Sequence, residues 1–475
     1  MSLRNVVVIA NSCYYYFMEA KKKQSTDTFL KGKTITAIAT PLGEGGIGKI
    51  IVSGPNALGH MNTIFHGKGI ADLRKAKSKK LYYGHIFDGG QRVDEVILNV
   101  VKQRDSFTGQ DIIEVNCHGG IRILKHIYEC LQSAGAEGVG WDSLLLQSCE
   151  NDKMDFIQKE ALQEVVRART KLGVKVLLDQ YAGALSGALQ KGLEIIEWFR
   201  QSLSKGADDL SQRNDVLVSN LVTLIGQLLE TAPLGMTLTT PKVLVILGKP
   251  NVGKSTIINT ILGEERMLVH HEPGTTRDYV SEFISVEGIP FELVDTAGMR
   301  DTSDKLEAMG IEITQEQLNR SDKVIAVFDN SRPFDREDEG VLDALNSWLK
   351  AESFNNLRRK GDMNAIIPVV NKCDLPAKLD RLRIESVLRQ HVCSISALNK
   401  DGFEDLRRRL VKELDTEYKP MRPVVFNRRQ SELLAKADGF IKQKKDCFMA
   451  KNKKSEVLQV IDELKDIFMA CLKGS

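Results

Sequence analysis

The segment Gly248-Lys249-Pro250-Asn251-Val252-Gly253-Lys254-Ser255 follows the apolar run VLVIL (243–247) and precedes a helical pattern opening at Thr256. A loop that wraps phosphate oxygens with its own amides needs glycine where side chains would collide, and the helix behind it aims its N-terminus at the anion. In this spacing Lys254 supplies a point charge to the β- and γ-phosphates, and the Ser255 hydroxyl is a ligand for Mg²⁺. Asn251, Val252, Gly253 and Thr256 complete the nucleotide-binding residues expected of the loop.

Further segments follow in chain order. Gly274-Thr275-Thr276-Arg277-Asp278 suits a loop in which Thr276 caps the γ-phosphate and its Mg²⁺, an interaction that hydrolysis breaks. Asp295-Thr296-Ala297-Gly298 closes a strand-like run, with a carboxylate for the Mg²⁺ shell and a glycine amide for the γ-phosphate. Asn371-Lys372-Cys373-Asp374 follows another buried run; a carboxylate at 374 accepts both donors on the guanine edge, which adenine does not offer. Ser396-Ala397-Leu398 fits a loop supporting the base. Together these residues predict binding of GTP and its hydrolysis to GDP. Many GTPases place a water-orienting glutamine after Asp-Thr-Ala-Gly; here Met299 stands there, and a thioether does not align a water. Glu307 is a candidate for that task, with a solvated helix carboxylate as the alternative. Asn251 together with the 274–278 loop suggests that K⁺ bridges the phosphates where an arginine finger would otherwise act.

The elements that must position these residues read as a multidomain α/β protein. A chain of 475 residues exceeds one hydrophobic core. Residues 1–30 read as a disordered or misassigned extension, with Met18 a possible true start: the apolar part of NVVVIANSCYYYFM is too short for a secretory leader or a membrane span. Residues 31–150 mix short strands such as KIIVSG and EVILNVV with the helical run IRILKHIYECLQSAG, an α+β pattern. Residues 151–238 carry apolar side chains at helical spacing, for instance Leu193, Ile196 and Trp198 beside Leu203. Residues 239–415 alternate strands and helices in the manner of a doubly wound domain, and 416–475 return to helix. The P-loop domain is thus expected as an insertion into a helical domain. Net charge is +3, so nucleic-acid contact would need local patches, and the eight scattered cysteines, without a C-x-x-C pair, suit reduced thiols in a cytoplasmic protein that does not enter a membrane.

The sequence resembles the MnmE/TrmE family of tRNA-modification GTPases over about residues 33–475. Beyond the nucleotide segments, the resemblance rests on Ala39-Thr-Pro-Leu-Gly-Glu-Gly-Gly-Ile47 and on Asp105-Ser-Phe-Thr-Gly-Gln-Asp-Ile-Ile-Glu114 with His118-Gly-Gly120. It also rests on Asn151-Asp-Lys-Met-Asp155 with Gln158, Glu160 and Ala161, and on the segment around Glu307. It implies an N-terminal domain like folate-binding aminomethyltransferase domains that mediates a homodimer, and Glu307 as the catalytic glutamate. It implies K⁺-driven pairing of the GTPase domains, with Asn251 and Thr275 around the ion together with His270 and Glu272, which stand where other residues are common in the family and would ligate through backbone carbonyls. An MnmG-like flavoprotein partner would help add an aminomethyl-type group at C5 of the tRNA wobble uridine, from a tetrahydrofolate one-carbon unit.

Departures from the family pattern concentrate on the one-carbon side. Ile51 in KIIVSG stands where relatives have arginine, Gln147 in LLLQSCEN lies near a second missing arginine, and the chain ends Cys471-Leu-Lys-Gly-Ser475 rather than C-I-G-K. Of the residues expected to meet folate, Glu114 is unchanged. These changes favour a second reading, a regulatory or assembly switch that retains GTP hydrolysis without folate chemistry. Cys471 is either a packing residue or, by resemblance, a functional thiol. The lysines between Lys442 and Lys454 suit either a solvated helix face or tRNA phosphates. His118 reads as a turn residue, since no second histidine lies at ligand spacing.

Overall fold

The computed structural model describes residues 30–204, 210–265, 282–294, 318–350, 365–444 and 454–474. The chain forms two compact units, one of residues 1–163 with 469–475, the other of residues 164–468.

The first unit is built on a seven-stranded sheet in the order β3-β4-β5-β6-β2-β1-β7. Its strands are β1 (Ile35–Ile38), β2 (Ile47–Ser53), β3 (Phe65–Gly67), β4 (Lys80–Asp88), β5 (Gln91–Val101), β6 (Ile112–His118) and β7 (Glu137–Gly138). All pairings are antiparallel except β1 with β7. Helices α1 (Ala57–Ile64) and α2 (Ile121–Ser133) belong to the same unit, followed by α3 (Asp142–Glu150) and α4 (Phe156–Arg167). Successive side chains of a strand face opposite ways, and β2 shows the consequence. Ile50 and Val52 join Leu98, Val115, Leu124 and Ile127 in one core, whereas Ile51 joins Ile35, Ala37, Ile112 and Leu144 in another. Near the chain end, a β-carbon on Gly474 would sit 2.4 Å from the Phe156 ring, so the terminal segment packs closely on α4.

The second unit holds a six-stranded sheet, β13-β12-β11-β8-β10-β9. Its strands are β8 (Lys242–Leu247), β9 (Glu282–Val286), β10 (Ile289–Leu293), β11 (Lys323–Asp329), β12 (Ile366–Asn371) and β13 (Cys393–Ser394). Only the edge strand β9 runs antiparallel. Helices α8 (Lys254–Glu265), α9 (Arg336–Lys350), α10 (Arg381–Leu388) and α11 (Phe403–Val411) connect or flank these strands. A parallel sheet buried on both faces needs continuous apolar strands, and β11 is buried throughout. Its Ile325 and Val327 join the core on one side and Val324, Ala326 and Phe328 the core on the other.

The helical part of this unit comprises α5 (Lys171–Tyr181), α6 (Ala184–Ser204), α7 (Leu210–Thr239), α12 (Arg428–Gln443) and, as far as residue 468, α13 (Lys454–Lys473). Thr170 caps α5 by accepting from the Gly173 amide at 3.0 Å, and Asn427 caps α12 through the Gln430 amide at 2.9 Å; each such cap contributes about 1 kcal/mol. The chain enters and leaves the α/β region at one place. Thr239 Oγ1 donates to Phe426 O at 2.8 Å, Thr231 Oγ1 accepts from the Val425 amide at 3.0 Å, and Gln180 binds Arg422 O and the Val424 amide. A β-carbon at Gly235 would lie 2.1 Å from Val425 O, and one at Gly192 would lie 2.3 Å from the Phe468 ring.

Two expectations change. In α6 the buried stripe runs Leu185, Leu189, Ile196, Phe199 and Leu203, while Trp198 is 47% exposed. Leu203 lies four residues from Phe199 and five from Trp198, so the 3.6-residue period selects the neighbour of the larger ring. The segment Val218–Thr239, contrary to the expectation that no stretch qualifies, is long and apolar enough to cross a membrane by length and composition. Half of that window is buried, with Leu221, Ile225, Leu228, Leu234 and Leu238 in the core, which accounts for its apolar composition.

Candidate nucleotide site

The loop between β8 and α8 takes the backbone path its residues allow. Gly253 has φ +99°, and a β-carbon there would lie 2.3 Å from Asn371 Nδ2, so no larger residue fits. Asn251 adopts the left-handed region at φ +62°, which asparagine tolerates better than most residues. Val252 is buried and anchors the loop, while the Ser255 and Thr256 side chains are exposed at the start of α8. Lys254 Nζ donates to Gly248 O at 2.8 Å and Lys249 O at 2.9 Å, and burial lowers its pKa. An anionic oxygen beside this ammonium would relieve that penalty by favouring its charged form.

Asn371, the last residue of β12, ties the phosphate and base loops together. Its Nδ2 donates to Val252 O at 2.8 Å, and its Oδ1 accepts from the Ala397 amide at 2.9 Å. Lys372, also left-handed at φ +63°, donates to Asn251 O and to Asp329 Oδ2, both at 2.7 Å. Burial pushes the Asp329 carboxyl upward, but hydrogen bonds from Lys372 and Ser331 outweigh it and leave the pKa below its ordinary value. Asp374 is exposed, and Ser396 Oγ donates to its Oδ1 at 2.5 Å, fixing the carboxylate's orientation. The exposed Leu398 side chain stands beside this loop, and the Asn399 amide donates to Ser396 Oγ.

Thus Gly248, Asn251–Thr256, Asn371, Lys372, Asp374 and Ser396–Leu398 belong to neighbouring loops on one edge of one sheet, at the C-terminal ends of β8, β12 and β13. Ligands of open α/β sheets bind there. His270, Glu272, Gly274, Thr275, Thr276, Asp295, Thr296, Ala297, Gly298 and Glu307 lie outside the described residues. The sequence reading missed a supporting layer. Lys249 is buried and donates to Asp335 Oδ2 at 2.6 Å and Asp338 Oδ2 at 2.7 Å, pinning the phosphate loop to the start of α9. Although burial opposes its charge, the two carboxylates hold the Lys249 pKa above its ordinary value. Asp329 could have been noticed as the acidic end of a parallel strand; the partners of Lys249 depend on tertiary folding and leave no local signal.

In the first unit, Glu114 lies across from Ile51 in the β2–β6 pairing. Its carboxylate accepts from Lys49 Nζ at 3.1 Å and Asn99 Nδ2 at 3.3 Å. Gln147 is buried, accepts from Ser53 Oγ at 2.6 Å, and donates to Lys33 O at 3.4 Å. Ser53 also bonds Thr108 at 2.7 Å. Cys471 is fully buried. His118 bonds the buried Asp94 through both its ring and its amide. Within the Lys442–Lys454 group, Lys442 pairs with Asp438 at 2.7 Å, while Lys445, Lys451 and Lys453 lie outside the described residues.

Residues 34–139 match the family model "GTP-binding protein TrmE N-terminus", and residues 243–372 match "50S ribosome-binding GTPase". Proteins called tRNA modification GTPase MnmE are similar across most of their length. Those of Lactiplantibacillus plantarum and Alkaliphilus metalliredigens are each 34% identical, over 80% of this chain and 80% and 81% of theirs. That of Clostridioides difficile is 35% identical over 79% of this chain and 80% of its own.

Proposed function

This chain belongs to the MnmE family of tRNA modification GTPases and is a GTP hydrolase that uses a divalent metal, and we infer that its hydrolysis is stimulated by K⁺ and serves modification of the tRNA wobble uridine. The observation that carries the nucleotide part is the Asn371 amide, which holds the phosphate loop through Val252 and the base loop through Ala397. In this reading the loop amides and Lys254 hold the phosphates, and Asp374, oriented by Ser396, accepts from the guanine edge. The exposed Ser255 hydroxyl and Thr276 would hold Mg²⁺, which when bound neutralises charge developing on the phosphate oxygens. Asn251 contributes to a K⁺ site with His270, Glu272 and Thr275, and Glu307 orients the attacking water.

Paired GTPase domains of a homodimer would open and close with the nucleotide and gate chemistry performed with an MnmG-like flavoprotein on tRNA. The test is GTP turnover in KCl and in NaCl at equal ionic strength. Faster turnover in KCl supports the reading; equal rates remove the K⁺ mechanism.

A second reading, a regulatory switch without folate chemistry, is favoured by the polar groups around β2. Glu114 is paired with Lys49, Gln147 spends its amide on Ser53 and Lys33, and Ile51 is packed in an apolar cluster. Two arginines facing an anionic ligand would each contribute a charge-assisted bond of about 1.5–3 kcal/mol. Titration with formyl-tetrahydrofolate separates the readings: micromolar binding supports the modification enzyme, and no binding at millimolar ligand supports the switch.

A further inference from the structure

Helix α2 carries His126 and Cys130 four residues apart, a spacing that puts both on one face. Opposite them is Asp88, the last residue of β4, where the hairpin turns through Gly89 and Gly90, both left-handed at φ +52° and +84°. His126 Nε2 lies 2.8 Å from Asp88 Oδ2, and with Cys130 Sγ the three ligand atoms all lie within 4.8 Å of one another. Cys130 is 6% exposed and forms the floor, whereas the side chains of Asp88 and His126 are 58% and 47% exposed and form the rim.

Thiolate, imidazole and carboxylate are the donors a zinc-type ion accepts, at bond lengths near 2.0–2.3 Å that set donors about 3.3–3.8 Å apart in a tetrahedron. Reaching that spacing requires His126 and Asp88 to part slightly and the thiol to close in, side-chain shifts on the order of 1 Å. A surface His–Asp hydrogen bond over a core cysteine would explain the pair alone. The helical spacing sets the thiol on that side; what points to an ion is that the hairpin brings a carboxylate to the same place, so that three different donor types converge within 4.8 Å.

We propose that Asp88, His126 and Cys130 form a binding site for a divalent zinc-type ion, with three protein ligands and a fourth position open to solvent. The ion ties α2 to the β4–β5 hairpin. This site is independent of the nucleotide loops, so its failure leaves the GTPase reading untouched.

The test titrates the metal-stripped full-length protein with Co²⁺, following the thiolate-to-cobalt charge-transfer band, and then displaces the cobalt with Zn²⁺. The expected result is one equivalent bound with a band that vanishes in Cys130→Ala. In the exposed variants His126→Ala and Asp88→Asn, affinity should fall at least about tenfold. Zn²⁺ should also raise the melting temperature of the wild type and not of His126→Ala, because a ligand bound only to the folded state stabilises it. GTP turnover should be the same in all four proteins. No charge-transfer band at millimolar Co²⁺ would overturn the proposal. So would a band of undiminished strength in both Cys130→Ala and His126→Ala, which would put the metal on other cysteines.

Discussion

The nucleotide loops and the polar strip along β2 and β6 were both anticipated as ligand sites, and they spend their polar groups differently. Around the phosphate loop, Asn371, Lys372 and Ser396 hold neighbouring backbone or side chains, while Ser255 and Asp374 remain exposed at the surface. Along β2 the groups bond one another: Lys49 with Glu114, and Ser53 with Gln147 and Thr108. In the first region internal bonds orient groups aimed outward; in the second they satisfy the very groups that a ligand would need. Side chains held from behind thus keep Ser255 and Asp374 at the surface, whereas polar groups that bond one another along β2 are turned inward.

The largest effect that would sharpen this contrast is expected at Asp374. Changing it to asparagine removes a charged acceptor for two guanine donors and supplies a donor, so GTP affinity should fall at least about 100-fold and xanthosine triphosphate should become the better ligand. Competition binding of the two nucleotides reads this out. Next is Lys249→Met, which strands the buried Asp338 carboxylate; denaturant unfolding should show a loss of about 3–5 kcal/mol. The double change Lys249→Met with Asp338→Leu should recover much of it. In the other region, Gln147→Ala deprives buried Ser53 of an acceptor and should cost about 1–3 kcal/mol without changing GTP turnover. A change in turnover there would break the distinction between the regions.

The smallest effect concerns His118, whose pKa is raised by the hydrogen bond and charge of Asp94. A histidine whose folded pKa lies above its unfolded value adds stability below the unfolded pKa, near 6.5, and loses it as pH rises through the folded one. The melting temperature of wild type relative to His118→Gln should therefore be highest at acidic pH and decline above neutrality. A difference independent of pH would show that the charged pair contributes nothing.

What could be read from the sequence follows the same division. The runs VLVIL, KVIAVFD and AIIPVV became β8, β11 and β12 because a parallel sheet covered on both faces demands unbroken apolar strands. Gly253 was identifiable from the spacing of the phosphate-loop motif, although the crowding that bars a side chain there comes from Asn371 on a distant strand. The roles of Lys249 and Gln147 were hidden because each depends on a partner tens of residues away, as with Lys249 and Asp338. Trp198 misled because a large apolar side chain looks like core, although Phe199 beside it has the helical phase that points inward. The grouping of His126 and Cys130 with Asp88 was not read from the sequence, because Asp88 joins them only through the hairpin register.

The central claim is that residues 248–255 cradle a triphosphate whose base is selected as guanine by Asp374. Equilibrium competition between GTP and ATP for the purified protein in the presence of Mg²⁺ tests it most directly. The account predicts that GTP displaces ATP with at least about 100-fold preference, two charge-assisted bonds being worth that much. Equal affinity for the two nucleotides, or tighter binding of ATP, would contradict it.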